Sequence, residues 1–143
     1  MKLNEIMTED VVVIGAEDTL RAAALKMRDR NIGFLPVLKG TELIGVLTDR
    51  DLVVRTMAAG MDLAQIIGSD SITAPAVYLF DDQTDREAAQ LMSEYQIRRL
   101  VILDRNDRSV VGVVSLSDLA TLGSPDTAGQ ILQVVSGGLV NTP

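Results

Sequence analysis

The sequence predicts a mixed α/β (α+β) protein built from two pseudo-symmetric β-α-β-β-α repeats packed through their sheets. Three observations carry this expectation. First, Thr8 and Thr73, Val12 and Val77, Thr19 and Thr84, Ala23 and Ala88, Met27 and Met92, and Ile32 and Ile97 each stand 65 positions apart, and self-similarity at a fixed period marks a duplicated unit. Second, the offset becomes 67 after the loops at 39–41 and 104–108, as Gly45 and Gly112, Thr48 and Ser115, and Asp51 and Asp118 show. The second copy therefore carries a turn two residues longer. Third, 47% of the residues are hydrophobic but only 3% are aromatic, which suits an interior of aliphatic layers rather than large rings.

Each repeat is expected to open with a short apolar strand (residues 11–14 and 76–79) and a polar turn. A helix follows, starting at Thr19 or Thr84. Thr84 and Glu87 have the spacing of a capping box, in which hydroxyl and carboxylate satisfy otherwise unpaired amides. The apolar face returns at helical spacing, as Leu20, Ala23, Ala24 and Met27 in the first copy and Ala88, Leu91, Met92 and Tyr95 in the second. Two apolar runs joined by a polar turn then read as a hairpin, 34–38 with 43–47 and 100–103 with 110–114. A second helix ends each repeat. The predicted organisation is a first repeat over residues 1–58, a linker over 59–71 with a helical turn near 62–67, a second repeat over 72–124, and a tail over 125–143 with a short helix that frays from Ser136 onward. A unit of roughly 55 residues buries only about 60% of its unfolded surface, so the two copies are expected to pack on one another.

Composition narrows the chemistry. Thirteen basic against twenty acidic side chains give a net charge of −7, which repels a phosphodiester backbone, so no nucleic-acid partner is expected. The chain has no Cys and no His, which removes disulfides, thiolates, imidazole bases and the usual zinc ligands. With no P-loop and no nucleophile paired to a base, no enzyme is expected. The N-terminus lacks an apolar leader, and no run approaches the ~18 apolar residues that span a bilayer, so a cytoplasmic protein without a membrane partner is expected.

The stretches GVLTDRDL at 45–52 and GVVSLSDL at 112–119 admit two readings. In one, Thr48 and Ser115 are helix N-caps, and Asp51 and Asp118 complete capping boxes that stabilise by about 1 kcal/mol. In the other, the strand ending in Gly presents amides and a hydroxyl to a phosphate, while the carboxylate one turn on accepts the vicinal hydroxyls of a ribose. Phosphate at one end and ribose at the other describe a nucleotide. Duplication at the same place in both repeats favours the ligand reading, although a repeated fold also repeats its caps.

These residues carry a family resemblance. Residues 1–120 resemble a tandem pair of cystathionine β-synthase (CBS) domains, or Bateman module. The stretch IRRLVILDRNDRSVVGVVSLSDLA at 97–120 is similar to the adenylate-binding repeats of the γ subunit of AMP-activated protein kinase. TDRDLVVRTMAAG at 48–60 resembles small stand-alone bacterial CBS pairs of the hypoxic-response type. The resemblance implies a regulatory homodimer. Such a module is expected to bind AMP, ADP, ATP or S-adenosylmethionine in a cleft between repeats, to signal by shifting the angle between the repeats or between subunits, and to pass that state to an unknown protein effector. It matches Asp51 and Asp118 to ribose-binding positions, Thr48 and Ser115 to hydroxyls near the phosphate, and Arg99 and Arg98 to phosphate-approaching bases. Segments containing Val12, Val77, Pro36 and Ile97 correspond to those that sandwich the adenine. The first copy has Gly33 and Phe34 where the second has Arg98 and Arg99, and Val101 stands where the first has Pro36, so the two clefts are expected to differ.

Other readings stay beside these. Arg98 and Arg99 also fit a solvated pair at a strand edge. Asp104, Asn106 and Asp107 hint at a calcium loop but lack its central Gly and final Glu, so a hairpin turn is expected. A ligand-independent dimeric scaffold is the alternative function, and Asp118→Ala separates it from a sensor.

Overall fold

The computed structural model describes residues 1–68 and 70–140. Two three-stranded sheets carry it, each with one parallel and one antiparallel pairing. The mixed α/β class and the twofold repeat are therefore present as predicted. The compact units nevertheless cut across the sequence repeats: one comprises Val12–Val77, and the other Met1–Val11 with the chain from Tyr78 onward.

In the unit Val12–Val77, β1 (Ile14–Gly15) lies parallel to β2 (Phe34–Lys39), and β2 pairs antiparallel with β3 (Glu42–Thr48). Helix α1 (Leu20–Arg30) starts at the Thr19 cap and ends at Asn31 with φ 52°. Its Leu20, Ala23 and Met27 enter a core with Ile14, Leu35, Val37, Leu47, Ile67 and Ile72. Helix α2 begins as Asp49–Asp51 and continues as a π-helical stretch, Leu52–Met57. The chain from 58 returns to the same unit. Its Thr73 exchanges backbone hydrogen bonds with Val46, at 2.8 and 2.9 Å. The expected helical turn near 62–67 is a single turn closed by Gln65 N–H on the Asp62 carbonyl, after which Ile66 bridges to Thr19.

The other unit repeats the plan with β4 (Tyr78–Phe80), α3 (Asp85–Tyr95), β5 (Arg99–Leu103), β6 (Val110–Ser115) and α4 (Leu116–Leu122). Thr8, the counterpart of Thr73, exchanges bonds of 2.9 and 3.0 Å with Val113, the counterpart of Val46. Helix α3 ends at Gln96 with φ 53°, as α1 does at Asn31. An added helix, α5 (Ala128–Val140), has no counterpart among the described residues of the first unit. It runs through Ser136–Gly138, where fraying was expected. Buried Val134 and the hydrogen bond from Ser93 Oγ to Gln133 at 3.0 Å tie it down. The rest of the expected frayed tail, residues 141–143, lies outside the described residues.

Several local expectations shift. The opening strands sit later than predicted, at Ile14–Gly15 and Tyr78–Phe80. Strand β1 is one residue shorter than β4 because Tyr78 pairs with Val101, whereas the equivalent pair would need a backbone N–H from Pro36, which has none. Helix α3 buries Ala88, Ala89 and Met92 and leaves Tyr95 59% exposed. Thr84 caps the Glu87 amide at 3.3 Å, but the Glu87 carboxylate is taken by Gln83 Nε2 rather than closing the box. Among the described residues no helix is long and apolar enough to cross a membrane.

Candidate functional site

Both quoted motifs fold as complete capping boxes. Thr48 Oγ1 accepts the Asp51 amide at 3.0 Å and Asp51 Oδ2 accepts the Thr48 amide at 2.9 Å. Ser115 and Asp118 do the same at 3.0 and 2.9 Å. The reason is local: a β-strand residue with an acceptor oxygen, followed three positions later by a carboxylate, satisfies two of the amides a helix start leaves open.

The glycine of each motif has another role than ending a strand at a ligand. Gly45 and Gly112 lie mid-strand, and a Cβ on Gly45 would stand 2.7 Å from the Thr73 carbonyl oxygen, on Gly112 2.4 Å from Met7 Sδ. Glycine admits the extended segment that crosses the sheet edge in each unit. The free amides expected at the helix starts are also mostly used. Asp49 N–H reaches the Gly33 carbonyl at 3.0 Å and Leu116 N–H the Arg98 carbonyl at 2.8 Å. Arg50 N–H goes to Asp49 Oδ1 at 2.8 Å.

Beyond the shared box the motifs part. Asp51 is 6% exposed; its Oδ1 forms an ion pair with Arg55 Nε at 3.1 Å, and the Thr73 hydroxyl lies 3.3 and 3.4 Å from its two oxygens. The Asp49 carboxylate folds over Gly33, 2.5 Å from where a Cβ would be. This end of the first unit is filled by its own acidic and basic groups. In the second motif, the position of Asp49 is Leu116 and that of Arg55 is Leu122. Asp118 is half-buried, and among the described residues only its Oδ2 has a bonding partner.

Arg98 and Arg99 stand exposed at the start of β5, and neither guanidinium has an ion pair among the described residues. With Ser115, Leu116, Ser117, Ala120, Ile131 and Val135 they line a cleft of about 440 Å³, within the range of small-molecule sites. Two arginines and two serines line it together with apolar residues of α4 and α5. Such a set suits an anion attached to an apolar or aromatic body.

The structure thus brings Arg98, Arg99 and Ser115 to one cleft, while Asp118 is bonded to Ser115 but is not among the residues that line it. Ile97 is half-buried, its amide on the Met92 carbonyl at 3.1 Å, and Val77 is half-buried before β4; neither lines the cleft. Val12 packs against the first unit's core, and Pro36 is buried in β2 opposite Val46. Sequence reasoning missed Ile131 and Val135, since α5 has no repeat partner to flag it. It also missed Arg55, although four positions from Asp51 on a helix is a readable ion-pair spacing.

Other carboxylates have structural work. Asp104 Oδ1 takes the Asn106 and Asp107 amides at 2.8 and 3.2 Å, forming the expected turn. Asp82 grips Arg105, whose guanidinium lies 4.4 Å from the Phe80 ring centre; the bond from Arg105 leads in lowering the Asp82 carboxyl below its usual range. Burial pushes the Asp85 carboxyl up, but the Ser124 amide at 2.6 Å and the terminal ammonium outweigh it, and the net shift is downward.

Comparison with known proteins agrees with the duplicated plan. The sequence profile of the CBS domain matches residues 3–57 and 67–124. CBS domain-containing protein YhcV of Bacillus subtilis is 37% identical over 135 residues, 94% of each chain. A crystal structure of Hypoxic Response Protein I with two coordinated zinc ions superposes with a TM-score of 0.77 at 32% identity, over 85% of this chain and 98% of that one. A CBS domain protein from Pyrobaculum aerophilum, PAE2072, complexed with AMP, shares the fold with a TM-score of 0.76 at 21% identity, over 92% and 98%. With both repeats matched by the family profile and by relatives over nearly their full length, the chain belongs to the CBS domain family as a tandem pair.

Proposed function

We propose that this CBS pair is a cytoplasmic regulatory module that binds an adenosine nucleotide through its second unit. The supporting observation is the pair of guanidiniums, Arg98 and Arg99, unpartnered among the described residues and on a cleft shared with Ser115. Phosphate oxygens take the two arginine forks. Ser115 Oγ, which already accepts the Asp118 amide, donates its own proton to them. Asp118, with one oxygen in the cap and one open, accepts a ribose hydroxyl. AMP in the Pyrobaculum relative belongs to a protein of the same fold and supports this ligand class. Occupancy regulates only as far as the ligand binds one arrangement of the chain better than another, ordinarily by about 1 to 3 kcal/mol. A protein effector then reads the arrangement.

Calorimetric titration with AMP, ADP, ATP and S-adenosylmethionine tests this. Saturable heat with a phosphorylated adenosine, lost in Arg98→Ala/Arg99→Ala, supports it; no heat with any of the four at millimolar concentration removes it. A second reading, a dimeric scaffold, draws on the exposed apolar side chains Val53, Val54 and Met57 of α2 and Leu122 of α4, each more than half exposed. Under it Asp118→Ala loses cap stability and no ligand affinity.

A further inference from the structure

We infer that Asp51 is an internal clasp and not a ligand group, so that each chain offers a single nucleotide site, that of the second motif. Only the stoichiometry rests on the nucleotide reading; the clasp stands on the geometry of the first unit alone. The two aspartates share a sequence motif and a capping box, yet differ in what meets the rest of the carboxylate. Asp51 is 6% exposed, with Arg55 Nε at 3.1 Å and the Thr73 hydroxyl at 3.3 and 3.4 Å.

Thr73 is held beside β3 by its two backbone bonds to Val46. One carboxylate therefore joins the start of α2, the π-helical stretch carrying Arg55 and the returning segment 72–74. A ribose hydroxyl would have to compete with the Arg55 ion pair and the Thr73 hydroxyl for a carboxylate already buried by its own unit. Asp49, folded over Gly33, adds a negative charge where the second unit has Leu116. A phosphate there would meet that carboxylate, and positions 33 and 34 carry Gly and Phe where the second unit has Arg98 and Arg99. At Asp118 none of these obstacles exists: Leu122 replaces Arg55, and Thr8, the counterpart of Thr73, makes only its backbone bonds to Val113 among those described.

The test compares Asp51→Ala, Asp118→Ala, Arg55→Ala and Leu122→Ala in the full chain, by thermal unfolding and by titration with AMP. Asp51→Ala is expected to lower the midpoint by roughly 8 °C and Asp118→Ala by about 3 °C. Losses from Asp51→Ala and Arg55→Ala should be less than additive, and those from Asp118→Ala and Leu122→Ala additive. Wild type and Asp51→Ala should each bind one AMP per chain with equal affinity, while Asp118→Ala binds at least tenfold more weakly. Two AMP per chain, or a tenfold affinity loss in Asp51→Ala, overturns the inference. Equal midpoint losses at the two aspartates do so as well. Should Asp51→Ala not fold, surface-exposed Arg55→Ala decides, with an expected drop of about 3 °C against under 1 °C for Leu122→Ala. If wild type binds no AMP, the nucleotide reading falls while the midpoints and the coupling still judge the clasp.

Discussion

The two hydroxyl-and-carboxylate turns begin from the same local chemistry and finish in different states. In each, the box closes with bonds of 2.9 and 3.0 Å. The first then turns inward, its second carboxylate oxygen spent on Arg55 and its neighbour Asp49 covering Gly33. The second stays open, with Leu122 in place of Arg55 and two arginines on the adjoining cleft that are unpartnered among the described residues. Duplication supplied a stabilising cap twice. What surrounds the cap decides whether a polar group remains for a ligand, because a carboxylate already holding a charged donor has little to gain from a neutral one.

The largest expected effect probes the glycines that both copies share. Gly45→Val would drive a side chain into the Thr73 backbone carbonyl and should destabilise by about 3 kcal/mol in urea unfolding. Gly112→Val meets the more compliant Met7 side chain and should cost less. Equal losses would mean that the crossing segments are held alike. Next, Arg98→Ala/Arg99→Ala should weaken nucleotide binding by roughly 30-fold in calorimetry, since each guanidinium bond to phosphate is worth about 1 kcal/mol or more. Installing arginines at Gly33 and Phe34 should not recover it while Asp49 remains.

A pH experiment separates the units through Asp85, whose position is Leu20 in the first copy. Its carboxyl sits below its ordinary value in the fold, despite burial, through the Ser124 amide and the terminal ammonium. The folded state therefore binds its proton less readily than the unfolded one. Its stabilisation is complete above the ordinary carboxylate range and is lost as pH falls through the depressed value. Asp85→Ala should cost about 2 kcal/mol at pH 7, leaving the half-buried Ser124 amide without its acceptor, and less as the pH falls below the ordinary carboxylate range. A cost independent of pH would sink this account. The smallest effect is the sharpest on the comparison: Leu122→Arg recreates the Arg55 arrangement in the second motif and should weaken AMP binding about threefold by competing for Asp118, with stability changed by less than about 0.5 kcal/mol.

How much was legible follows the range of each interaction. The Thr19, Thr48, Thr84 and Ser115 caps could be read because cap and partner lie three residues apart. Even so, Glu87 was drawn away by Gln83. Tyr95 fits the helical stripe but lies exposed while Ala89 is buried, since small residues let a helix approach its sheet closely. Strand β1 needed one further fact, that Pro36 cannot donate to it. The exchange of opening segments, Thr8 on Val113 and Thr73 on Val46, was invisible because the bonds are backbone to backbone and leave no side-chain signature.

By itself, the sequence determined the duplication, the order of elements, the capped helix starts and the candidate carboxylates, all of which depend on neighbours within about four positions or on a fixed period. Only the tertiary structure decided that Asp51 is occupied and Asp118 open, that Gly45 and Gly112 make room for a crossing chain, and that α5 supplies a wall for the Arg98–Arg99 cleft. Apart from Arg55, four positions from Asp51, those outcomes turn on groups brought together from 22 or more positions away, such as Thr73 on Asp51. A carboxylate's remaining hydrogen-bonding capacity is set by whichever donors packing delivers to it, and no local pattern records that delivery.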